Sequence, residues 1–410
     1  MKSSATPTLR SFALLWLKLG CMSFGGPAAH IALMHREVVE RKKWIDERRF
    51  SSALGFCMLL PGPEAQQLAT YIGWMLHGAK GGAIAGALFV LPSALLLWVL
   101  SVGYVYCGAS PYPAAFLKGL LPVVAALVAI AAFRIARRSL KTPAGIGIAA
   151  AAFLLPTLWN IPVPLLLVAA LIAGYAAPGW FSLSGGPTPA ARNFPHKTGR
   201  AALIALLLWL APVALLLIFE RGLLAQLAIF FSSTSLLTFG GAYVILPFVA
   251  QHSVASGWIT PAAMLDGLGL AEATPGPLII VLQFVGFLAA WNQHGGFPPL
   301  VFATLGAAVA TWTTFLPSFV WIFFWAPHVE KMLANRRLSG ALGGVTASAS
   351  GIIAGLALWI AWHAFLPSPG RTDWFAVAVF LAALAAHRAG VLPMILLGGL
   401  AGVIRSLGGL

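Results

Sequence analysis

Apolar residues run along this chain in long blocks, and the polar residues gather between the blocks. Blocks cover residues 11–34, 51–76, 82–106, 114–133, 144–158, 163–177, 201–219, 223–250 and 263–290, and more follow toward the C-terminus. Runs of spanning or near-spanning length predict an all-α polytopic membrane protein. Two of the blocks are broken by the same triplet, in Leu60-Pro61-Gly62-Pro63-Glu64 and in Thr274-Pro275-Gly276-Pro277-Leu278. Pro-Gly-Pro cannot continue a helix, because two amide donors are missing and the glycine is permissive. In lipid, such a break is tolerated only where protein or a water-filled cavity covers the freed backbone. Two broken segments at corresponding places in two halves point to the binding site of a transporter.

The halves can be superposed by eye. Phe24-Gly25-Gly26 matches Phe239-Gly240-Gly241, Trp44 matches Trp258, and the two Pro-Gly-Pro triplets match at nearly the same offset. Tyr71-Ile72-Gly73 answers Phe284-Val285-Gly286, and Leu91-Pro92-Ser93 answers Leu316-Pro317-Ser318. Near the ends, Pro164 and Gly174 answer Pro393 and Gly402. A repeat in this order divides the chain into 1–178, a basic linker at 179–200, one further span at 201–222, and 223–410.

Basic residues orient the halves. The stretch 35–49 carries Arg36, Arg41, Lys42, Lys43, Arg48 and Arg49, whereas its counterpart 250–262 carries none. The turn 107–113 has none, and its counterpart 328–338 has Lys331, Arg336 and Arg337. Arg134, Arg137, Arg138 and Lys141 face a counterpart, 364–373, with only Arg371. The bias changes sign at every station, so the positive-inside rule predicts an inverted repeat, with the extra span supplying the inversion. About 13 membrane segments follow, six plus one plus six. The N-terminus lies in the cytoplasm and the C-terminus outside. The arms flanking each tip are too short to cross at ~1.5 Å per residue, so the broken segments should be re-entrant hairpins.

Composition narrows the function. The chain is 60% hydrophobic and 9% charged, with a net charge of +15. Topology accounts for most of that excess, and the remainder can draw an anion. No basic domain stands apart from the membrane, so no nucleic acid is expected. Cys21, Cys57 and Cys107 have neither metal-ligand nor disulfide spacing. No metal, cofactor, P-loop or nucleophile elbow is indicated, so the chain reads as a transporter and not an enzyme. Residues 1–26 imitate a signal peptide, but Lys18 interrupts the run and no A-x-A site follows, so this segment is expected to be retained.

Restarting helices at the tips would present amides and positive dipole ends to an anion. Gly25, Gly26, Gly62, Gly240, Gly241 and Gly276 permit close backbone approach, and Ser23 and Thr238 supply hydroxyls. Gln66, Gln67 and Gln283 lie beside the tips, and Lys18 can face the same cavity or reach the cytoplasmic surface. Glu64 and Glu272 are candidates for proton coupling, because ionisable groups within membrane segments are seldom idle. For Glu64, capping of a helix N-terminus is the alternative.

These stretches resemble the chromate ion transporter (CHR) family in its long, two-domain form. The resemblance rests on Phe24-Gly25-Gly26-Pro27, on His35-Arg36-Glu37-Val38-Val39 leading to Trp44, and on Leu59-Leu60-Pro61-Gly62-Pro63. Gly269-Leu270-Ala271-Glu272-Ala273-Thr274-Pro275-Gly276-Pro277 and the two Leu-Pro-Ser triplets extend it. The resemblance implies chromate efflux and chromate resistance at the bacterial inner membrane, with sulfate as a related oxyanion. Glu64 departs from it, standing where an apolar residue is expected. At ~150 mV inside negative, a dianion gains roughly 7 kcal/mol by leaving, at about 2.3 kcal/mol per charge per 100 mV. Efflux is therefore simpler than sulfate import or exchange; a lipid scramblase and a membrane enzyme are remoter readings. The expected partners are the oxyanion and the lipid bilayer, with a homodimer admitted.

Overall fold

The computed structural model describes residues 7–408 apart from 109, 160, 182–197, 220–221, 330–331, 333–334, 367–371 and 388–389. Most of the linker expected at 179–200 lies outside the described residues. Among the described residues every regular element is helical. Five helices are long and apolar enough to cross a membrane: Glu64–Cys107, Pro111–Arg137, Gly199–Phe219, Pro299–His328 and Arg336–Phe365. The protein is a multi-pass helical membrane protein.

The first block forms α1 (Leu9–Met22) and α2 (Gly26–His35). Thr8 caps α1 by accepting the Ser11 amide, and Gly25, at φ 99°, turns the chain between the two helices. A π-helical turn, Arg36–Arg41, then extends α2. It explains a detail of the repeat: between the Gly-Gly pair and the tryptophan the first half has one residue more than the second, and a π turn absorbs a single inserted residue without ending the helix. The charged stretch pairs with itself. His35 bonds Glu47 at 2.5 Å, Arg41 bonds Glu37 at 2.7 Å, and Arg49 lies 3.4 Å from Asp46.

Next come α3 (Glu47–Met58), capped by Asp46, and α4 (Glu64–Cys107). At 12 residues, α3 is about 18 Å long, well short of the ~30 Å hydrocarbon core. The backbone of α4 leaves helical geometry at His77 and Gly78, the latter at φ 63°, and the helix folds back there. Gly73 and Gly81 touch backbone to backbone, which residues eight apart in a straight helix, about 12 Å along the axis, cannot do. The second arm, from Gly78 to Cys107, is a full crossing. Beside it runs α1: Phe12 stacks edge-on against His77 at 4.8 Å, and Gly20 meets Leu88, Phe89 and Pro92. So α1 ends alongside the middle of the crossing arm.

The second half repeats these pieces as α10 (Leu223–Leu237), α11 (Ala242–Ala255), α12 (Pro261–Ala273), the turn Leu278–Ile280 with α13 (Val281–Asn292), and α14 (Pro299–Trp325). Gly286 and Gly306 make the contact that Gly73 and Gly81 make in the first half. Each half closes with one long and two shorter helices: α5 (Pro111–Ser139), α6 (Pro143–Trp159) and α7 (Val163–Ala176), then α15 (Arg336–Phe365), α16 (Trp374–Ala385) and α17 (Val391–Leu407). These closing helices interlock across the halves. Gly174 of α7 sits on Gly340 of α15, and Gly402 of α17 sits on Gly119 of α5. Without a hydrophobic drive between helices in lipid, such small-residue seams let the backbones approach and carry the association. The short helix α8 (Pro178–Phe181) and the span α9 (Gly199–Phe219) lie between the halves in the chain.

Candidate functional site

Both Pro-Gly-Pro triplets are non-helical, and each is bound to the broken segment of the other half. The Gly62 amide donates to the Thr238 carbonyl at 2.7 Å, and the Gly276 amide donates to the Ser23 carbonyl at 2.6 Å. Ser23 and Thr238 are equivalent residues, so the two bonds are one interaction made twice. The side chains repeat as well: Ser23 Oγ donates to Leu19 O at 2.6 Å, and Thr238 Oγ1 donates to Thr234 O at 2.7 Å. Each tip also rests on the other half's Leu-Pro-Ser. A Cβ on Gly62 would lie 2.7 Å from Ser318 Oγ, and one on Gly276 would lie 2.5 Å from Ser93 Oγ. Ser93 stands midway along the second arm of α4, so the tips meet beside the middle of that arm.

This geometry shows which of the expected donors are already engaged. The Gly62 and Gly276 amides, expected to face an anion, are already bonded to carbonyls, as are the Ser23 and Thr238 hydroxyl protons. The first turns of α2, α4 and α11 leave further amides without a partner in their own helix, apart from those of Gln67 and Val244, which donate to Pro63 O and Gly241 O. Gln283 is also committed: its Nε2 donates to Ala94 O at 2.8 Å, and its Oε1 accepts from Thr311 at 2.9 Å. Lys18 lies on the exposed face of α1 with Leu14 and Leu17, and the structure does not bring it to the tips.

Other residues do converge. Gln66 and Gln67 are fully buried; their Nε2 atoms reach Phe315 O at 3.5 Å and Pro61 O at 2.7 Å, and their Oε1 atoms have no partner. Thr314 and Ser318, on the facing turn of α14, have buried hydroxyls without an acceptor or donor. Unpartnered buried polar groups are costly and uncommon, and four of them fall where the first Pro-Gly-Pro tip meets α14. Sequence reasoning missed Thr314 and Ser318, because nothing in the chain's order tells which helix a tip will touch.

Around the other broken segment the Tyr243 hydroxyl donates to Glu272 Oε1 at 2.7 Å, and it is the atom nearest to where a Cβ on Gly26 would sit, at 3.4 Å. Glu272, Tyr243 and Gly26 thus form one contact set. Gly241 is buried, yet a Cβ there would meet nothing within 4 Å. Gly25 and Gly240 are hemmed in, by Val391 and by Ala349. Glu64 opens the first turn of α4, half-buried and without an ion pair or hydrogen bond to its carboxylate among the described residues. His30 is buried against Phe89.

Comparison with known proteins places this arrangement in a family. A family model described as chromate transporter matches residues 10–175 and 225–403, leaving out the linker and α9. The chain is 33% identical to a chromate transport protein of Pseudomonas aeruginosa, over 98% of this chain and 94% of that protein. It is 30% identical to a chromate transport protein of Cupriavidus metallidurans, over 90% and 86% of the two chains. A probable chromate transport protein of Synechococcus elongatus is 32% identical, over 85% and 83%. No solved structure matches the chain. With both halves matched and nearly the whole length of such relatives covered, the chain belongs to the chromate transporter family.

Proposed function

We propose that this chain is a secondary transporter that exports chromate across the cytoplasmic membrane and so confers chromate resistance. The reading rests on one observation above the others. The Gly62–Thr238 and Gly276–Ser23 bonds bring the broken segments of both halves together at mid-depth, where transporters built from inverted repeats place their substrate. The halves are two repeats of opposite topology, 1–178 and 223–410. Linker 179–200 and span 201–222 join them, with the N-terminus cytoplasmic and the C-terminus periplasmic. The helices α1, α2, α3 and the first arm of α4 form re-entrant hairpins entering from the cytoplasm, and their counterparts enter from outside.

Chromate is held by the free first-turn amides beside Gly25, Gly26, Gly240 and Gly241, and by Gln66 and the hydroxyls of Thr314 and Ser318. Donors fixed in a water-poor chamber stabilise a dianion without reorganising. Glu64 and Glu272 are the candidate proton carriers. Labelled chromate and sulfate flux in proteoliposomes, under an imposed potential and then an imposed pH gradient, tests the proposal. Chromate flux that follows the potential alone makes the carboxylates structural. Flux that needs the pH gradient and is lost in Glu272→Gln makes that residue a carrier. Absence of chromate flux under both conditions would remove the assignment.

A further inference from the structure

A cavity of about 740 Å³ opens between α6, α11 and α15. Among its lining are Pro247 and Ile352, about two turns beyond Gly240 and one turn beyond Ala349, which touch each other. Gln251, Trp359, Trp362 and His363 line the remainder, and no Lys, Arg, Asp or Glu is among its described lining residues. In the inverted topology this is the outer vestibule, descending toward the open space at Gly241.

The helix seams give its counterpart on the other side of the membrane. Ala115 and Gly119 meet Gly402 as Gly340 and Gly344 meet Gly174. With α5 and α15 in that register, Arg134 holds the place of Trp359 and Arg137 the place of Trp362. Counting α2 from Gly26 as α11 is counted from Gly241 puts Arg36 at the place of Gln251, just where the π turn begins. All three arginines are exposed. None has a carboxylate partner among the described residues, and the neighbouring acids are taken: Glu37 by Arg41, Glu40 and Glu47 by His35.

We infer that Arg36, Arg134 and Arg137 form a capture site for the oxyanion at the cytoplasmic mouth, and that the uncharged vestibule opposite is its release side. The inference rests on the inverted topology and the chromate cargo proposed above. Guanidinium groups at the three positions equivalent to the vestibule's Gln251, Trp359 and Trp362, unpaired among the described residues, concentrate a dianion on their side, by roughly 10- to 1,000-fold in rate of arrival. The same positions on the outer side offer no cation to hold it back. Topology alone explains a basic rim but not its placement on the vestibule face. Lys141 lies beyond the end of α5 and serves the positive-inside rule equally well.

The test is labelled chromate efflux from oriented proteoliposomes, comparing Arg134→Gln, Arg134→Lys, Lys141→Gln and the wild type. Arg134→Gln is expected to raise the half-saturating chromate concentration on the cytoplasmic side by about tenfold with the maximal rate kept. Arg134→Lys should restore most of it, and Lys141→Gln should leave it unchanged. Gln251→Arg should do the converse, slowing release. Equal behaviour of Arg134→Gln and Lys141→Gln beside a competent wild type would overturn the capture site alone. A wild type without chromate flux would overturn the transport reading and the capture site together.

Discussion

Replacing Gly62 by alanine probes the joint between the halves. The backbone there has φ 128°, which an L side chain rarely adopts, and holding it costs about 1–3 kcal/mol. The new Cβ would lie 2.7 Å from both Gln67 Nε2 and Ser318 Oγ. Gln67 cannot swing away freely, since its amide already donates to Pro61 O at 2.7 Å. Ser318 is held in the middle of α14. Overpacking of this kind costs a further ~1–3 kcal/mol. Gly241→Ala is the matched control, with φ 99° but nothing within 4 Å of the added methyl, so only the backbone part applies. Gly62→Ala should therefore be less stable than Gly241→Ala by about 1–3 kcal/mol. At ~1.4 kcal/mol per decade, that thins the tip-paired population roughly 5- to 150-fold further. The assay is the melting temperature in detergent, with chromate flux as the second readout. A Gly62→Ala protein that melts with Gly241→Ala would refute the packing argument.

Three further predictions concern single contacts. Tyr243→Phe strips the buried Glu272 carboxylate of its 2.7 Å hydrogen bond and should cost about 1–3 kcal/mol. A double-mutant cycle with Glu272→Gln should show coupling, and additive losses would mean the pair is idle. Gln283→Leu should lower stability by about 0.5–1.5 kcal/mol and leave the half-saturating chromate concentration alone; a change in that concentration would return Gln283 to the substrate. In a chain with its three cysteines replaced by alanine, an impermeant thiol reagent should label Ser256→Cys on intact cells and Lys42→Cys only after lysis. Labelling of Lys42→Cys on intact cells would reverse the orientation proposed above.

Much of the helix pattern was legible because each element announces itself locally. Phe24-Gly25-Gly26-Pro27 and Pro61-Gly62-Pro63 cannot continue a helix, and the helices end there, at Met22 and Met58. The self-pairing of the 35–49 stretch accords with its mixture of signs, since Glu37, Glu40, Asp46 and Glu47 lie among its six basic residues. The commitments of individual groups were hidden. Gly62 and Gln283 looked free because their acceptors, Thr238 O and Ala94 O, lie far away in the chain. Lys18 sits in an apolar run whose exposed face no spacing rule identifies. The fold-back at His77 and Gly78 falls in the gap between the blocks 51–76 and 82–106, but the Gly73–Gly81 contact that accompanies it is a matter of three-dimensional fit.

The exchanged bonds between tips carry a consequence for assembly. A polypeptide amounting to one half would present a glycine amide with no carbonyl to receive it, and a serine or threonine carbonyl with no donor. At the mid-membrane depth proposed for the tips, an unmet polar group costs several kcal/mol. In the inverted topology proposed above, such a polypeptide could be completed only by a second one inserted the opposite way up. In the present chain α9 makes that meeting obligatory by tethering the two, so the complementary surfaces always arrive in equal number and in the right relative sense.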